Sequence, residues 1–381
     1  MVPVFKSPRL SSILKLLSVI LLLYLFLLGI KLTGVSFKLF GKDFAEQLIS
    51  IYSNPFTGLF TGILATSIIQ SSSTTTSLIV GMAGSGILPL GSAIPMIMGA
   101  NMGTTITNTL VSLTFITRKD DFRRALAAAT VHDFFNVFTI LLFFPLEISF
   151  HIIEKSAVFL TNILQGAGGV SFTSPLKYII DPLANGLKHF FSDAVGLPEI
   201  AMGIVLLLLA VVLVIISLLY LVKTMRALVV DQTERVMQKY LFRNTFTALV
   251  LGMILTAVVQ SSSITTSIMV PLVAAGLLSI NRAYPYTLGA NIGTTITAIL
   301  ASLATMSSEN GSDISTIGLT VALCHLIFNI YGTAIFLPLR RLPVFCATRL
   351  AVLAAESKKW ALAFVITLFF IIPLVFILIT R

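Results

Sequence analysis

The chain reads QSSSTTTS at residues 70–77 and QSSSITTS at residues 260–267, and apolar residues flank both stretches. Around them, residues 54–107 align with residues 244–297 without a gap, and 26 of the 54 aligned positions are identical. Internal repetition on this scale indicates that one structural unit occurs twice in the chain. We therefore expect two copies of one fold, each carrying a hydroxyl-rich segment.

The composition is that of a membrane protein. Of 381 residues, 56% are hydrophobic and 10% are charged, whereas soluble domains carry about 25% charged residues. Stretches at 13–30, 203–222 and 361–380 come close to the ~20 apolar residues that span a bilayer. We predict an all-α integral membrane protein whose solvent is the lipid bilayer. The net charge of +10 comes mostly from short segments between spans, so we predict no nucleic-acid partner.

The loop charges predict that the two copies have opposite orientations. After the block GANMGTTIT at 99–107, the first copy continues with Arg118, Lys119, Arg123 and Arg124. The equivalent segment of the second copy, 307–316, contains acidic residues and no Lys or Arg, so the first segment is predicted to be cytoplasmic and the second outside. Inverted-topology repeats with broken or re-entrant helices are typical of secondary transporters, which open a shared site to alternate sides. A duplicated bundle without a transport role is the alternative.

The repeats divide the chain into five segments. We assign a first span and an amphipathic approach to 1–53, the first repeat to 54–149, an outside connection, a span and a charged cytoplasmic linker to 150–243, the second repeat to 244–339, and a basic cytoplasmic segment with a last span to 340–381. Polar residues predict turns near 166–169 and 181–186. The N-terminus is predicted to be cytoplasmic.

Seven consecutive hydroxyl residues follow Gln70. Each hydroxyl buried without a partner costs roughly 1–3 kcal/mol, which predicts a broken helix that lines a hydrated cavity. In the Gly-Ala-Asn blocks, glycines permit tight turns, and the Thr-Thr pair predicts a new helix start whose N–H groups attract an anion. The predicted anion ligands are Gln70, Ser71, Ser72, Ser73, Gln260, Ser261, Ser262, Ser263, Asn101 and Asn291.

These segments contain no Lys or Arg, so an anion bound there has no fixed side-chain cation beside it. Hydroxyl, amide and carbonyl oxygens are suitable ligands for Na⁺, and bound Na⁺ would supply the missing charge. The predicted sodium ligands are Asp133, Asn136, Asn329, Thr104, Thr105, Thr294, Thr295, Thr75 and Thr265. No transition metal is expected.

Asp133 lies in an apolar stretch, where the second copy has Leu326. Carboxylates within spans are rare and are candidates for cation binding. The alternative is a carboxylate near a water-accessible helix end that pairs with Arg123 or Arg124. His132 and His325 match between the copies and lack partners at metal spacing, so we assign them to packing.

An intramembrane hydrolase is the enzymatic alternative, with Ser85 as its nucleophile. The counterpart of Ser85 in the second copy is Ala275, and no Ser-His-Asp order is evident. We therefore expect no enzymatic activity and no cofactor.

The paired QSSS motifs, the GANMGTT and GANIGTT blocks and ATVHDFFN at 129–136 closely resemble the type II sodium-phosphate cotransporters. The resemblance implies a bacterial member that carries divalent phosphate together with Na⁺ across the plasma membrane, here the bacterial inner membrane. It assigns the substrate site to 70–73 and 260–263 and a sodium ligand to Asn136. If Asp133 is the aspartate of the electrogenic members, an extra sodium ion and a net inward positive charge follow.

The likeness runs from roughly residue 50 to residue 380 and has two departures. The connection at 150–197 is short and lacks the cysteine pair of animal members, and one span follows Lys359 where animal members continue. Two other functions stay open: symport of another small anion, such as sulfate or a carboxylate, and an anion channel. A homodimer is also left open.

Overall fold

The computed structural model of the chain describes residues 8–166, 176–240, 244–305 and 316–380. Within these ranges all secondary structure is helical, which confirms the predicted all-α class. The α-helices are α1 (Pro8–Leu39), α2 (Gly41–Ile51), α3 (Pro55–Ile69), α4 (Ser72–Gly84), α5 (Leu90–Gly103), α6 (Ile106–Ser112), α7 (Lys119–Phe150), α8 (Ile152–Gly166), α9 (Leu176–His189), α10 (Glu199–Tyr240), α11 (Thr245–Val259), α12 (Ser262–Ser267), α13 (Met269–Ala274), α14 (Ile280–Leu303), α15 (Ile317–Phe336), α16 (Arg341–Glu356), α17 (Lys359–Ile366) and α18 (Ile372–Thr380).

Among the described residues, five helical stretches are long and apolar enough to cross a membrane. They include the three stretches predicted from hydropathy alone. The spans are Leu14–Leu39, Lys119–Phe150, Glu199–Met225, Ile317–Phe336 and Lys359–Thr380, the last of which joins α17 to α18 through a π-helical turn. The division of the chain into five segments stays a prediction.

The two copies begin alike. Asn54 precedes α3 and accepts a hydrogen bond from the Phe56 N–H at 2.9 Å. Asn244 precedes α11 and accepts one from the Thr247 N–H at 2.8 Å. An asparagine at this position satisfies an N–H group that has no partner within the helix. Both copies therefore start their first helix at a matched residue.

In each copy, the first helix touches the helix that carries the Gly-Ala-Asn block, backbone against backbone. A Cβ atom built on Gly99 of α5 would lie 1.9 Å from the Leu59 carbonyl oxygen of α3. The same crossing joins α14 to α11, where a Cβ on Gly289 would lie 1.8 Å from the Leu249 carbonyl oxygen. Only glycine permits this approach, so these glycines set the position of each Gly-Ala-Asn block relative to its QSSS break.

The predicted turn at 181–186 is wrong, because those residues lie inside α9 with Pro182 in the helix interior. Ile180 and Ala184 of α9 are buried in the same core as α1, and Asp181 forms a 3.0 Å ion pair with Lys31 of α1. This tertiary packing outweighs the cost of about 3 kcal/mol for a proline inside a helix. The other predicted turn lies largely outside the described residues. Part of the predicted linker, up to Tyr240, continues α10 as helix.

The predicted helix start at the Thr-Thr pair is wrong in the second copy. Thr294 and Thr295 lie in the middle of the continuous helix α14. The Thr295 hydroxyl donates to the Ile292 carbonyl at 2.7 Å, so it is satisfied without a break in the helix. In the first copy α5 does end and α6 does begin around this pair, although Thr105 makes no side-chain capping hydrogen bond.

Replacing Gly99 by Ala is expected to destabilise the folded protein by roughly 1–3 kcal/mol, because the added Cβ forces α3 and α5 apart. The measurement is the thermal unfolding of the detergent-purified protein. Gly91→Ala is the matched control on the same helix, since nothing lies within 4 Å of a Cβ built there. Equal unfolding temperatures for the two variants would contradict the close crossing.

Candidate functional site

The two QSSS segments break their helices in the same way. Gln70, which follows α3, has left-handed backbone geometry with φ 55°, and Gln260, which follows α11, has φ 61°. Ser71 and Ser261 then adopt extended geometry, and their hydroxyls accept hydrogen bonds from the Thr74 and Ile264 N–H groups, both at 3.3 Å. Left-handed geometry is uncommon for a residue other than glycine. The predicted broken helices are therefore confirmed in both copies.

The hydroxyl-rich first turn of α4 meets the second break in the interior of the bundle. The Ser73 hydroxyl, in the first turn of α4, lies 3.5 Å from the Gln260 carbonyl oxygen and 3.5 Å from the Thr297 hydroxyl. Thr297 in turn donates to the Gln260 side-chain oxygen at 2.9 Å. Ser73 thus contacts two residues that are 187 and 224 positions away in the sequence. The hydroxyl-rich start of the first copy faces the break of the second.

A second contact between the copies joins α6 to α12. The Asn108 amide donates to the Thr266 hydroxyl at 2.9 Å, and the Asn108 oxygen lies 3.1 Å from the same hydroxyl. Neither Asn108 nor the neighbouring Thr109 is a site residue predicted from the sequence. Their counterparts in the second copy are Ala298 and Ile299, so a search for features that the two copies share passes over them.

Most of the predicted anion ligands are buried, but the two glutamines differ. Gln70 is exposed at the protein surface, whereas Gln260 is 7% exposed. Ser71, Ser261 and Ser263 are half-buried. The buried hydroxyl residues of the two segments are Ser72, Ser73, Thr74, Thr75, Thr76, Ser77, Ser262, Thr265 and Thr266. Helix α4 packs against α1, α5, α14 and α15, so its hydroxyls face protein rather than lipid.

Thr75 and Thr265 bond to the helix turn that precedes them. Each hydroxyl donates to the carbonyl of the capping serine, Ser71 at 3.2 Å and Ser261 at 3.1 Å. The Thr265 hydroxyl also lies 2.6 Å from the Thr256 hydroxyl. A hydroxyl oxygen that donates its hydrogen still has lone pairs to offer. The sodium role assigned to the two threonines stays a prediction.

The four asparagines, which the sequence divides into anion ligands and sodium ligands, form one buried cluster. The Asn101 amide donates to the oxygens of Asn136 and Asn329 at 3.1 and 3.2 Å. The Asn291 amide donates to the Asn136 oxygen at 3.0 Å, and the His325 ring lies 3.1 Å from the Asn101 oxygen. The cluster ties α5, α7, α14 and α15 together, and among the described residues no hydrogen bond joins it to a QSSS segment.

Asp133 is fully buried on α7 and accepts a hydrogen bond from the Thr109 hydroxyl at 3.2 Å. Its Oδ1 atom has no hydrogen-bond partner among the described residues. The alternative pairing with arginine is wrong, because Arg124 contacts Asp121 at 2.8 Å and Arg123 contacts Asp120 at 3.4 Å. A buried carboxylate without a cationic partner is costly, and a bound cation would relieve that cost.

The threonines predicted as sodium ligands divide by position. Thr105 lies beside the Asp133 carboxylate, and Thr104 donates to the Ala100 carbonyl at 3.2 Å. On α14, the Thr294 hydroxyl and the Asn291 side-chain oxygen have no hydrogen-bond partner among the described residues. These two oxygen atoms, one turn apart on α14, are thus available to a cation. Helix α14 packs against α7, which carries Asp133.

His132 is not the satisfied packing group that we expected. It is fully buried and lies close to Asn291, yet neither ring nitrogen makes a hydrogen bond of good geometry with a described residue. His325 does have a partner, through the Asn101 contact already described. The matched histidines therefore occupy different environments.

Comparison with known proteins gives a consistent result. The chain matches the family model described as Na+/Pi-cotransporter over residues 25–172 and 213–337. It is 36% identical to sodium-dependent phosphate transport protein 2A of Ovis aries, over 95% of this chain and 67% of that protein. It is 37% identical to the 2A protein of Rattus norvegicus, over 96% and 69%, and 32% identical to the 2B protein of Homo sapiens, over 92% and 63%. No solved structure matches the chain significantly.

Replacing Thr266 by Val is expected to cost roughly 1–3 kcal/mol of stability, because it leaves the buried Asn108 amide without its acceptor. Thr287→Val is the matched control, since the buried Thr287 hydroxyl donates to the Ala283 carbonyl of its own helix at 3.1 Å. Thermal unfolding of both purified variants decides the matter. A loss in Thr266→Val no larger than in the control would speak against the contact between copies.

Proposed function

The chain belongs to the Na+/Pi-cotransporter family, and we propose that it imports inorganic phosphate, as HPO4²⁻, in symport with Na⁺ by alternating access. The relatives' activity, sodium-dependent phosphate transport, carries over to this chain. One observation carries the mechanistic part: Ser73 at the start of α4 lies 3.5 Å from the carbonyl of Gln260 at the other break. The first turn of α4 and the second break, which meet in the interior, can offer hydroxyls, N–H groups and carbonyls to one solute.

The charge of the interior supports coupling to a cation. Among the described residues, the buried acidic side chains are Asp133 and Glu147, and no Lys or Arg is buried. A dianion placed near the breaks needs compensating charge, because burying an unpaired charge costs far more than neutral hydrogen bonds return. Na⁺ that binds first supplies this charge. Phosphate binding then depends on sodium binding, which is the physical basis of symport.

The donors to phosphate are assigned to the serines of the two breaks. Ser72 and Ser73 open α4, and Ser262 and Ser263 follow the second break. Hydroxyls donate to a phosphate oxygen without fixing a permanent positive charge in the site, so the anion can be released when Na⁺ leaves. Each hydrogen bond to the charged solute contributes roughly 1.5–3 kcal/mol.

The cation ligands are assigned to the region around Asp133. Its unpartnered oxygen, the nearby Thr105 and the free oxygens of Asn291 and Thr294 are hard donors of the type that alkali cations take. The Asn291 amide already donates to Asn136. Asn291 is therefore better suited to offer its oxygen to Na⁺ than its hydrogens to phosphate, in contrast to the role that its sequence block predicts.

An inverted orientation of the copies, which the loop charges predict, would suit alternating access. The basic segment at 118–124 and the absence of Lys and Arg from 307–316 support the proposal that the equivalent ends of the copies lie on opposite sides of the membrane. With this orientation we propose a cytoplasmic N-terminus for the multi-pass chain and a location in the plasma membrane. The relatives named above are animal proteins, so the bacterial origin stays a prediction.

Transport without catalysis fits the surroundings of Ser85. The Ser85 hydroxyl donates to the Met82 carbonyl of its own helix at 2.9 Å, and no described histidine forms a hydrogen bond with it. A serine nucleophile needs a base within hydrogen-bond reach. We propose that the chain has no enzymatic activity and that the transport cycle uses no cofactor, with Na⁺ as the co-transported ion.

The test is uptake of labelled phosphate into proteoliposomes that contain the purified protein. An inward Na⁺ gradient is expected to drive saturable accumulation, and replacing Na⁺ by K⁺ is expected to abolish it. Excess unlabelled phosphate should compete, and excess sulfate should not. Non-saturable flux without a sodium requirement would identify a pore, and competition by sulfate would identify a symporter of broader selectivity.

The same assay tests the assigned donors. Ser73→Ala is expected to raise the phosphate concentration for half-maximal uptake by roughly 10- to 100-fold, which corresponds to one lost hydrogen bond to a charged solute. Ser53→Ala is the matched control, because Ser53 is exposed before α3 and bonds to the Ser50 carbonyl.

Replacing Asp133 by Gly is expected to abolish phosphate-evoked current while leaving part of the uptake, because one bound Na⁺ is lost from each cycle. One net charge per cycle contributes about 2.3 kcal/mol at 100 mV, so accumulation should also lose its dependence on membrane potential. Asp120→Asn is the control, since Asp120 pairs with Arg123 at the surface. An unchanged ratio of charge to phosphate in Asp133→Gly would refute the assignment.

A further inference from the structure

Three potential metal ligands converge where α7 gives way to α8, away from the transport site. Glu147 lies in the last turn of α7, His151 lies between the helices, and Glu154 lies in the first turn of α8. One ligand atom from each residue lies within 4.8 Å of the other two, and the His151 Nδ1 atom is 3.0 Å from the Glu154 Oε2 atom. Neither the family resemblance nor the proposed transport cycle gives these residues a role.

The backbone at this corner fixes the arrangement. His151 has left-handed geometry with φ 53°, and its N–H donates to the Glu147 carbonyl at 2.9 Å. The chain therefore reverses at His151 and places the start of α8 over Glu147. The Glu147 carboxylate accepts hydrogen bonds from the N–H groups of Ile153 at 2.7 Å and Glu154 at 3.2 Å.

These two hydrogen bonds hold the Glu147 carboxylate in place and leave lone pairs on its oxygens for another ligand. A carboxylate offers about four lone-pair directions, and two are engaged here. Capping of α8 explains the position of Glu147. It does not explain why an imidazole and a second carboxylate lie beside the Glu147 carboxylate. Together the three side chains supply three metal-ligand atoms within 4.8 Å of one another.

The donor set indicates the class of metal. One imidazole nitrogen with two carboxylate oxygens suits Zn²⁺ and similar first-row divalent ions, whereas Ca²⁺ and Mg²⁺ take oxygen ligands. Two carboxylates balance the charge of a divalent ion. We propose that Glu147, His151 and Glu154 bind one Zn²⁺ ion, with the remaining coordination position open to water.

This corner lies open at the protein surface. The side chain of His151 is 55% exposed and that of Glu154 is 30% exposed, while Glu147 is buried beneath them. An ion can therefore reach the site from solution and be held against a fixed carboxylate. By the loop-charge prediction, this end of α7 faces the outside of the cell.

The chain offers an internal control. His189 and Asp193 form the other exposed pair of a histidine and an acid, 3.3 Å apart and one turn apart along the chain. No third ligand joins this pair among the described residues. The two remaining histidines, His132 and His325, are fully buried. A His189 variant therefore distinguishes zinc binding at His151 from zinc binding by an ordinary surface histidine.

The experiment is a titration of the full-length protein, purified in detergent with a tag that contains no histidine. Zn²⁺ is added in competition with a chromophoric chelator, and stoichiometry and affinity are read from the absorbance. One Zn²⁺ per chain is expected, with no competition from excess Mg²⁺. His151→Gly and Glu154→Gln are each expected to weaken zinc binding at least about tenfold, while His189→Ala leaves it unchanged.

These variants are chosen so that folding does not obscure the result. Glycine adopts the left-handed geometry of position 151 readily, and glutamine keeps the shape of Glu154. A monodisperse gel-filtration peak and an unchanged helical circular dichroism signal establish folding, and if one variant fails this check the other decides. Zinc affinity in the folded variant equal to that of the unmodified protein, or a loss of equal size in His189→Ala, overturns the proposal. So does absence of 1:1 binding in the unmodified protein. Because binding is measured without transport, the outcome does not depend on the proposed transport function.

Discussion

A helix that breaks inside a membrane protein leaves backbone N–H and carbonyl groups that lipid cannot satisfy. This constraint governs the placement of the two QSSS segments. At each break a glutamine has left-handed backbone geometry. The serine that comes next caps the N-terminus of the following helix. From the first turn of α4, Ser73 reaches the Gln260 carbonyl of the opposite copy. The bundle thus holds the first turn of α4 against the second break in its interior.

On this repeated frame the two copies differ in their chemistry. The first copy carries Asn108, Thr109 and Asp133, and the second has Ala298, Ile299 and Leu326 at the matching positions. The helix is interrupted near Thr105 in the first copy and continuous through Thr295 in the second. The repeated residues build the frame. The unmatched residues place a carboxylate and its hydrogen-bond donor on one side of the interior only.

How far the sequence predicts this structure depends on the range of the interaction. Local features were predictable: the apolar spans follow from hydropathy, and the breaks at Gln70 and Gln260 follow from hydroxyls that a continuous helix in lipid cannot accommodate. The pairing of Asn101 with Asn136 and Asn329 was not predictable, because it depends on how the three helices α5, α7 and α15 pack. The turn predicted at 181–186 was wrong because the contact of α9 with α1 outweighs the local preference of those residues for a turn. The repeat alignment located what the copies share and therefore missed Asn108, whose partner Thr266 belongs to the other copy.

The glycine crossings have a mechanical consequence. Because α3 meets α5, and α11 meets α14, with backbone against backbone, neither pair can slide by rearranging side chains. We therefore expect each helix pair to move as a rigid unit, with the change in backbone angles confined to connections that are not closely packed. Gly86 and Gly276 are such places: they have φ 81° and 74°, and a Cβ built on either would touch nothing within 4 Å. They occupy equivalent positions in the two copies, so each rigid helix pair has a glycine hinge at the matching connection.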